Sequence, residues 1–150
     1  MKQVLFLTAL LFASIANQAQ APDPVKTVLD QYMAVKEALV ASDPAGAATQ
    51  ANVLLKSLGA AKLDALKKDT KTIADSKDIN KQRAAFASLS DKLYTAVKAA
   101  KPAATIYYQH CPMYNNGKGG NWLSMDAEIR NPFYGDMMLN CGSTKESIQK

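Results

Sequence analysis

The run from His110 to Cys141 holds the chain's one histidine, both of its cysteines and four of its six methionines (Met113, Met125, Met137 and Met138). Imidazole, thiol and thioether together form the soft donor set that suits Cu(I) and related ions. Two short pairs stand out, Cys111-Pro112-Met113 and Met138-Leu139-Asn140-Cys141. On an extended backbone, Cys111 and Met113 share a side while His110 points the other way. In a helical turn, Met138 and Cys141 face the same way. Closed around one ion, these pairs offer the linear or trigonal sulfur coordination that Cu(I) accepts and that Ag(I) shares. Zn(II) suits methionine less, although two cysteines and a histidine supply three of its four tetrahedral positions.

The same cysteines allow a different chemistry. A Cys111–Cys141 disulfide encloses a loop of about 30 residues and stabilises by roughly 3–4 kcal/mol in the chain-entropy model. The spacing is neither Cys-x-x-Cys nor Cys-x-x-Cys-His, so thioredoxin-like activity and covalent haem find no support. Ser124 and Ser143 have no recognisable base partner, and there is no second histidine. The expectation is a protein that is not an enzyme.

The elements that must position these residues begin after a leader. Met1-Lys2-Gln3 is a positive start and Val4 to Ile15 an apolar run, too short to span a bilayer. Ala19-Gln20-Ala21 then reads as a cleavage site. Residues 1–21 are thus expected to be a signal peptide cleaved after Ala21, and the mature chain, residues 22–150, to be a single periplasmic or secreted domain. An oxidising compartment permits the disulfide. Without Lys2 the mature side chains carry 17 basic and 13 acidic groups, a net +4 from the full chain's 18 and 13. The lysines are dispersed among acids and alanines, which argues against nucleic-acid binding. No later apolar segment reaches membrane-spanning length, so no membrane insertion is expected.

Residues 22–101 read as helical. Val25, Val28, Leu29, Tyr32, Val35 and Leu39 follow one helix face. Asp43-Pro44 opens a second helix, with Ala47, Ala51, Leu54, Leu55 and Leu58 inward and Gly59 at its end. A third runs from about Ala60 to Ser76, and Asp78 caps a fourth that carries Ile79, Phe86, Leu89, Leu93 and Val97. Short connections favour an all-α, up-and-down bundle of about four helices. Residues 102–150 read as an irregular, loop-rich lobe that has room for a short strand pair and packs on the bundle through Trp122, Phe133 and Tyr134. Trp122 is read as packing or as a shield over the soft-ligand site. Ser143, with Glu146 three residues on, caps a short terminal helix over Thr144 to Gln149.

The strings Tyr108-Gln109-His110-Cys111-Pro112-Met113, Trp122-Leu123-Ser124, Glu128-Ile129-Arg130-Asn131-Pro132-Phe133-Tyr134-Gly135 and Met138-Leu139-Asn140-Cys141-Gly142 resemble a bacterial family catalogued as a domain of unknown function. That domain occurs as small exported proteins and fused to the periplasmic membrane-fusion subunits of copper/silver efflux pumps. The resemblance implies heavy-metal handling, with His110, Cys111, Met113, Met138 and Cys141 as the matching ligand positions. Met125 and Met137 lie outside that pattern and are weaker candidates. The implied function is a Cu(I)/Ag(I) chaperone or buffer that passes its ion to an efflux membrane-fusion protein. The alternative is a disulfide-stapled helical module that binds another envelope protein without metal chemistry.

Overall fold

A computed structural model describes residues 23–150; the expected signal peptide, residues 1–21, lies outside the described residues. Helix α1 spans Pro24–Val40, α2 Pro44–Leu58, α3 Lys67–Asp75 and α4 Ile79–Ala100. Asp23, Asp43 and Asp78 each accept a backbone N–H at the start of α1, α2 and α4, satisfying donors that the helix leaves unpaired. Proline occupies the first turn of α1 and α2, where its missing N–H costs nothing. The third helix is shorter than its periodicity predicts. Lys62 takes a left-handed conformation (φ 56°), and a single 3₁₀ turn, Asp64–Leu66, precedes α3.

Consecutive helices pack on one another, and α1 also meets α4. The core between them is most of the expected one: Val28, Leu29, Tyr32, Val35 and Leu39 from α1, Ala47, Ala51, Leu54 and Leu58 from α2, Leu66 and Ile73, and Phe86, Leu89, Leu93 and Val97 from α4, with Val25, Leu55 and Ile79 only half-buried. Met33 packs against this core at its edge.

The C-terminal part is more regular than expected. Strands β1 (Ile106–Cys111), β2 (Gly120–Ser124) and β3 (Ser143–Ile148) form an antiparallel sheet of order β2-β1-β3. The third strand takes the residues expected to form a terminal helix. A six-residue helix is marginal alone, and this one has only Ile148 to bury. As a strand, the segment satisfies the open edge of β1 and places Ile148 opposite Ile106, both buried. Glu146 then reaches α4 instead of completing a capping box.

Strand β2 meets the bundle. The Leu123 N–H donates to the Tyr32 hydroxyl (3.1 Å), which hydrogen-bonds Ser90 (2.6 Å), whose hydroxyl in turn donates to the Phe86 carbonyl (2.7 Å). Burial raises the Tyr32 phenol above its ordinary value, keeping it protonated as this chain requires. The long connection from Met125 to Gly142 carries its own 3₁₀ turn, Gly135–Met137, and returns over the sheet to start β3.

Candidate metal centre

Alternation along β1 separates the two kinds of candidate ligand. Tyr108 and His110 share one face, Gln109 and Cys111 the other. On the first face, Tyr108 stacks on Tyr94 of α4 (centroids 4.1 Å apart) and donates to Asp91 (2.9 Å). The same Asp91 oxygen accepts from the Asn121 amide nitrogen (3.0 Å), which turns the Asn121 oxygen toward His110 Nδ1 at 2.8 Å. Nδ1 therefore carries a proton, and Nε2 lies over Gly119. Gly119 has φ +81°, and a Cβ there would sit 2.4 Å from the imidazole, so only glycine admits the ring in this pose. Beside it, Asp91, Ser88, Lys118 and Asn121 help to line a polar cleft of about 350 Å³.

On the other face, Gln109 donates to the backbone carbonyls of Asp126 (3.1 Å), Ala127 (3.3 Å) and Glu128 (3.3 Å), fixing the start of the long connection. Trp122, directly opposite Gln109, is fully buried and meets Phe133 edge-on at 5.8 Å. Its ring also comes against Gly142, the residue after Cys141. Trp122 thus packs the segment that carries the second cysteine. Its indole N–H is buried with no hydrogen-bond partner among the described residues.

The two cysteines converge. Cys111 Sγ lies 3.4 Å from Cys141 Sγ, across 30 residues of sequence, and both are free thiols. Cys111 is fully buried at the end of β1, whereas Cys141 is half-buried. The Cys141 thiol is pushed above its ordinary value, first by its hydrogen bond with Cys111 and then by burial; a hydrogen bond with the Met113 backbone opposes the shift. The candidate methionines differ in exposure. Met113 and Met137 are exposed, at 56% and 76%, Met138 is half-buried, and Met125 is exposed at the far end of β2. Met138 is not helical, but its carbonyl accepts the Cys141 N–H (3.0 Å) and closes a turn. Among the described residues, no three His, Cys, Asp or Glu side chains form a metal-holding group, so His110 does not join the thiols.

Residues that carry no site chemistry hold the pair in place. Buried Asn131 donates to the Cys141 carbonyl (2.9 Å), accepts from the Phe133 N–H (2.8 Å), and uses its own N–H to bind the Leu139 carbonyl (2.8 Å). Arg83 of α4, 5% exposed, donates to the Pro132 carbonyl (2.9 Å), the Leu39 carbonyl (3.1 Å) and the Ser42 hydroxyl (3.0 Å). Burial pulls its guanidinium below the ordinary value, yet arginine stays charged in proteins. The ammonium of buried Lys36 donates to Ser124 (3.3 Å) and pairs with Glu37 (3.0 Å), which also pairs with Arg130. Sequence reasoning treated the lysines as a solvated surface and passed over Arg83. Their one early signal was place: both fall beside the apolar stripe of their helix.

A family model described as a protein of unknown function (DUF3347) matches residues 28–105. The chain belongs to this family. The match starts inside α1, covers α2, α3, α4 and the connection that follows, and ends where β1 begins. The motifs that carried the resemblance to exported metal-handling proteins lie in residues 106–150, outside the matched span. No curated protein and no solved structure matches the chain.

Proposed function

We propose that this protein is an exported Cu(I)- or Ag(I)-binding protein, a chaperone or buffer that takes its ion between Cys111 and Cys141. The observation that carries this reading is the 3.4 Å approach of two free thiols. A metal–thiolate bond of about 2.3 Å sets sulfurs about 4.0 Å apart in trigonal and about 4.6 Å apart in linear coordination, so the pair seats an ion by opening about 0.6–1.2 Å. Two thiolates suffice for a soft monovalent ion, and thioethers suit the same metals. Met113 and Met138 come from the segments that carry the cysteines and are the natural further donors. His110, hydrogen-bonded on the opposite face, acts through the strand it holds. Release to a membrane-fusion subunit of an efflux pump follows from the resemblance of residues 108–142 and from the exposed side of Cys141. The second reading, a disulfide staple, draws on the same distance.

The test is a Cu(I) titration of the reduced protein against a chromophoric chelator, with native mass spectrometry for stoichiometry. Loss of groups that merely support ligands costs about 10–100-fold in affinity, so Cys111→Ser and Cys141→Ser should each lose more, and Met138→Leu less. A wild-type protein that binds no copper in competition with the chelator would overturn the proposal.

A further inference from the structure

We infer that Cys111 and Cys141 form a polarised redox pair: Cys141 is the outer sulfur that exchanges with an incoming disulfide, and Cys111 is the inner sulfur that resolves it. The inference deepens the metal reading by giving that site a gate, although the exchange stands on the thiol geometry alone. Three observations carry it. The sulfurs lie 3.4 Å apart, so bonding at about 2.05 Å needs an approach of about 1.4 Å. Their exposures differ, since Cys111 is sealed in the core while Cys141 is half-open to solvent. Their backbones differ too. Cys111 is held in the β1–β2 ladder opposite Gly120, whereas Cys141 sits in a turn followed by Gly142 at φ +146°. The partner outside the ladder is therefore the accessible one.

The steps balance with a small-molecule or protein disulfide as oxidant. The Cys141 thiolate attacks one sulfur of that disulfide and forms a mixed disulfide. The other sulfur leaves as a thiolate and takes up the proton Cys141 lost. Cys111 then gives up its proton and attacks the Cys141 sulfur, and the second thiol departs. The chain has lost two electrons and two protons, and the oxidant has become two thiols. In the closed state neither sulfur is a thiolate, so a soft ion has no donor pair. With an ion bound, both sulfurs are engaged and exchange is blocked. By linkage, each state opposes the other.

The experiment exposes the reduced full-length mature chain to glutathione disulfide, quenches with acid and reads intact mass after thiol labelling. Wild type should pass reversibly between two free thiols and none, with no lasting adduct. Cys111→Ser should accumulate a glutathione adduct, and Cys141→Ser should acquire one about tenfold more slowly or worse, as exposure controls access. Cys111→Ala repeats the first arm without burying a hydroxyl, and the far-ultraviolet spectrum reports the helices of each variant. Equal rates for the two single-cysteine proteins would overturn the polarity, and a wild type that stops at the mixed disulfide would overturn the pair. Copper separates the gate from the reading beneath it. A bridge that forms as described in a protein that never binds Cu(I) removes the metal reading and leaves the redox pair. An oxidised protein that binds Cu(I) as well as the reduced one removes the gate.

Discussion

The helical frame and the C-terminal sheet share one apolar core and differ in how far single polar contacts add to it. The frame buries a long series of aliphatic side chains, each meeting several others, so no one of them decides the fold. The sheet and its long connection join that core through Ile106, Trp122, Leu123, Phe133 and Ile148 and are also fastened at polar points: Arg83 to Pro132, Asn131 to Cys141, Gln109 to the turn after β2, Lys36 to Ser124. Distributed apolar packing tolerates change and gives stability. Buried single-point hydrogen bonds tolerate little and give position. The thiol pair draws on both: Cys111 lies in the apolar core and Trp122 packs against Gly142, while Asn131 and Arg83 fasten the connection that carries Cys141.

A matched pair of substitutions tests that contrast most strongly. Leu54→Ala in the frame should lower stability by about 2–5 kcal/mol through cavity formation, with the thiol pair unchanged in the remaining folded protein. Arg83→Met keeps most of the volume but takes the guanidinium donor from the Pro132 carbonyl and from the Leu39 carbonyl, which still accepts the Ser42 N–H. A hydrogen bond to a charged group is worth about 1.5–3 kcal/mol, so the loss of stability should fall in a similar range. The two variants should differ at the site. Arg83→Met should slow Cys111–Cys141 closure in glutathione buffers, whereas Leu54→Ala should not. Equal closure rates at equal helical content would mean that the connection is held by packing after all.

A smaller effect belongs to the turn between β1 and β2. Gly119→Ala places a Cβ against the imidazole of His110 at a positive φ, and holding a non-glycine residue there costs about 1–3 kcal/mol. The histidine must rotate out of its Asn121 contact. Nuclear magnetic resonance of the imidazole should show Nδ1 losing its fixed proton, with the helices unmoved. A ring that keeps its Nδ1–H bond in the variant would show that the glycine is not what positions it.

The same contrast explains what the sequence disclosed. Local rules were enough for the frame: aspartate caps at 43 and 78, proline in the first turns, and stripes at helical spacing all lie within one turn of the residue they govern. For β1 they went part of the way, because Ile106-Tyr107-Tyr108 is β-branched and aromatic and favours an extended chain without naming its partners. They failed for β3, whose polar residues form a strand only because β1 offers an open edge some 35 residues earlier. Arg83 and Lys36 were illegible for a related reason. A basic side chain beside an apolar stripe becomes buried only when another segment supplies acceptors, here Pro132 and Ser124. The cysteines fall between these cases. Their spacing allowed a pair, and only the fold of the connection brings the sulfurs to 3.4 Å.

The smallest effect lies at the outer edge of the sheet, where one polar contact ties β3 to α4. Tyr94 donates to the Glu146 carboxylate at 2.6 Å, and Lys98 pairs with it at 3.0 Å. The Tyr94 bond first, and the Lys98 bond second, hold the Glu146 carboxyl below the ordinary glutamate value. Lys98 is correspondingly held above the ordinary lysine value, by the Tyr94 hydroxyl and then by Glu146. The signs fix the working window. The lowered carboxyl contributes above its unfolded value and loses that contribution as the pH falls through the folded one. The raised ammonium contributes below its unfolded value and is lost as the pH climbs through the folded one. The tie is complete at neutral pH and opens at both extremes, and because both partners face solvent its effect on global unfolding is slight. Amide exchange in β3 is the sensitive measure. Glu146→Gln keeps an oxygen for Tyr94 and removes the charge, so β3 exchange should lose its acid dependence while β1 and β2 stay protected. If the substitution also loosened β1 at Cys111, the outer strand would be one more of the single-point fastenings on which the thiols depend.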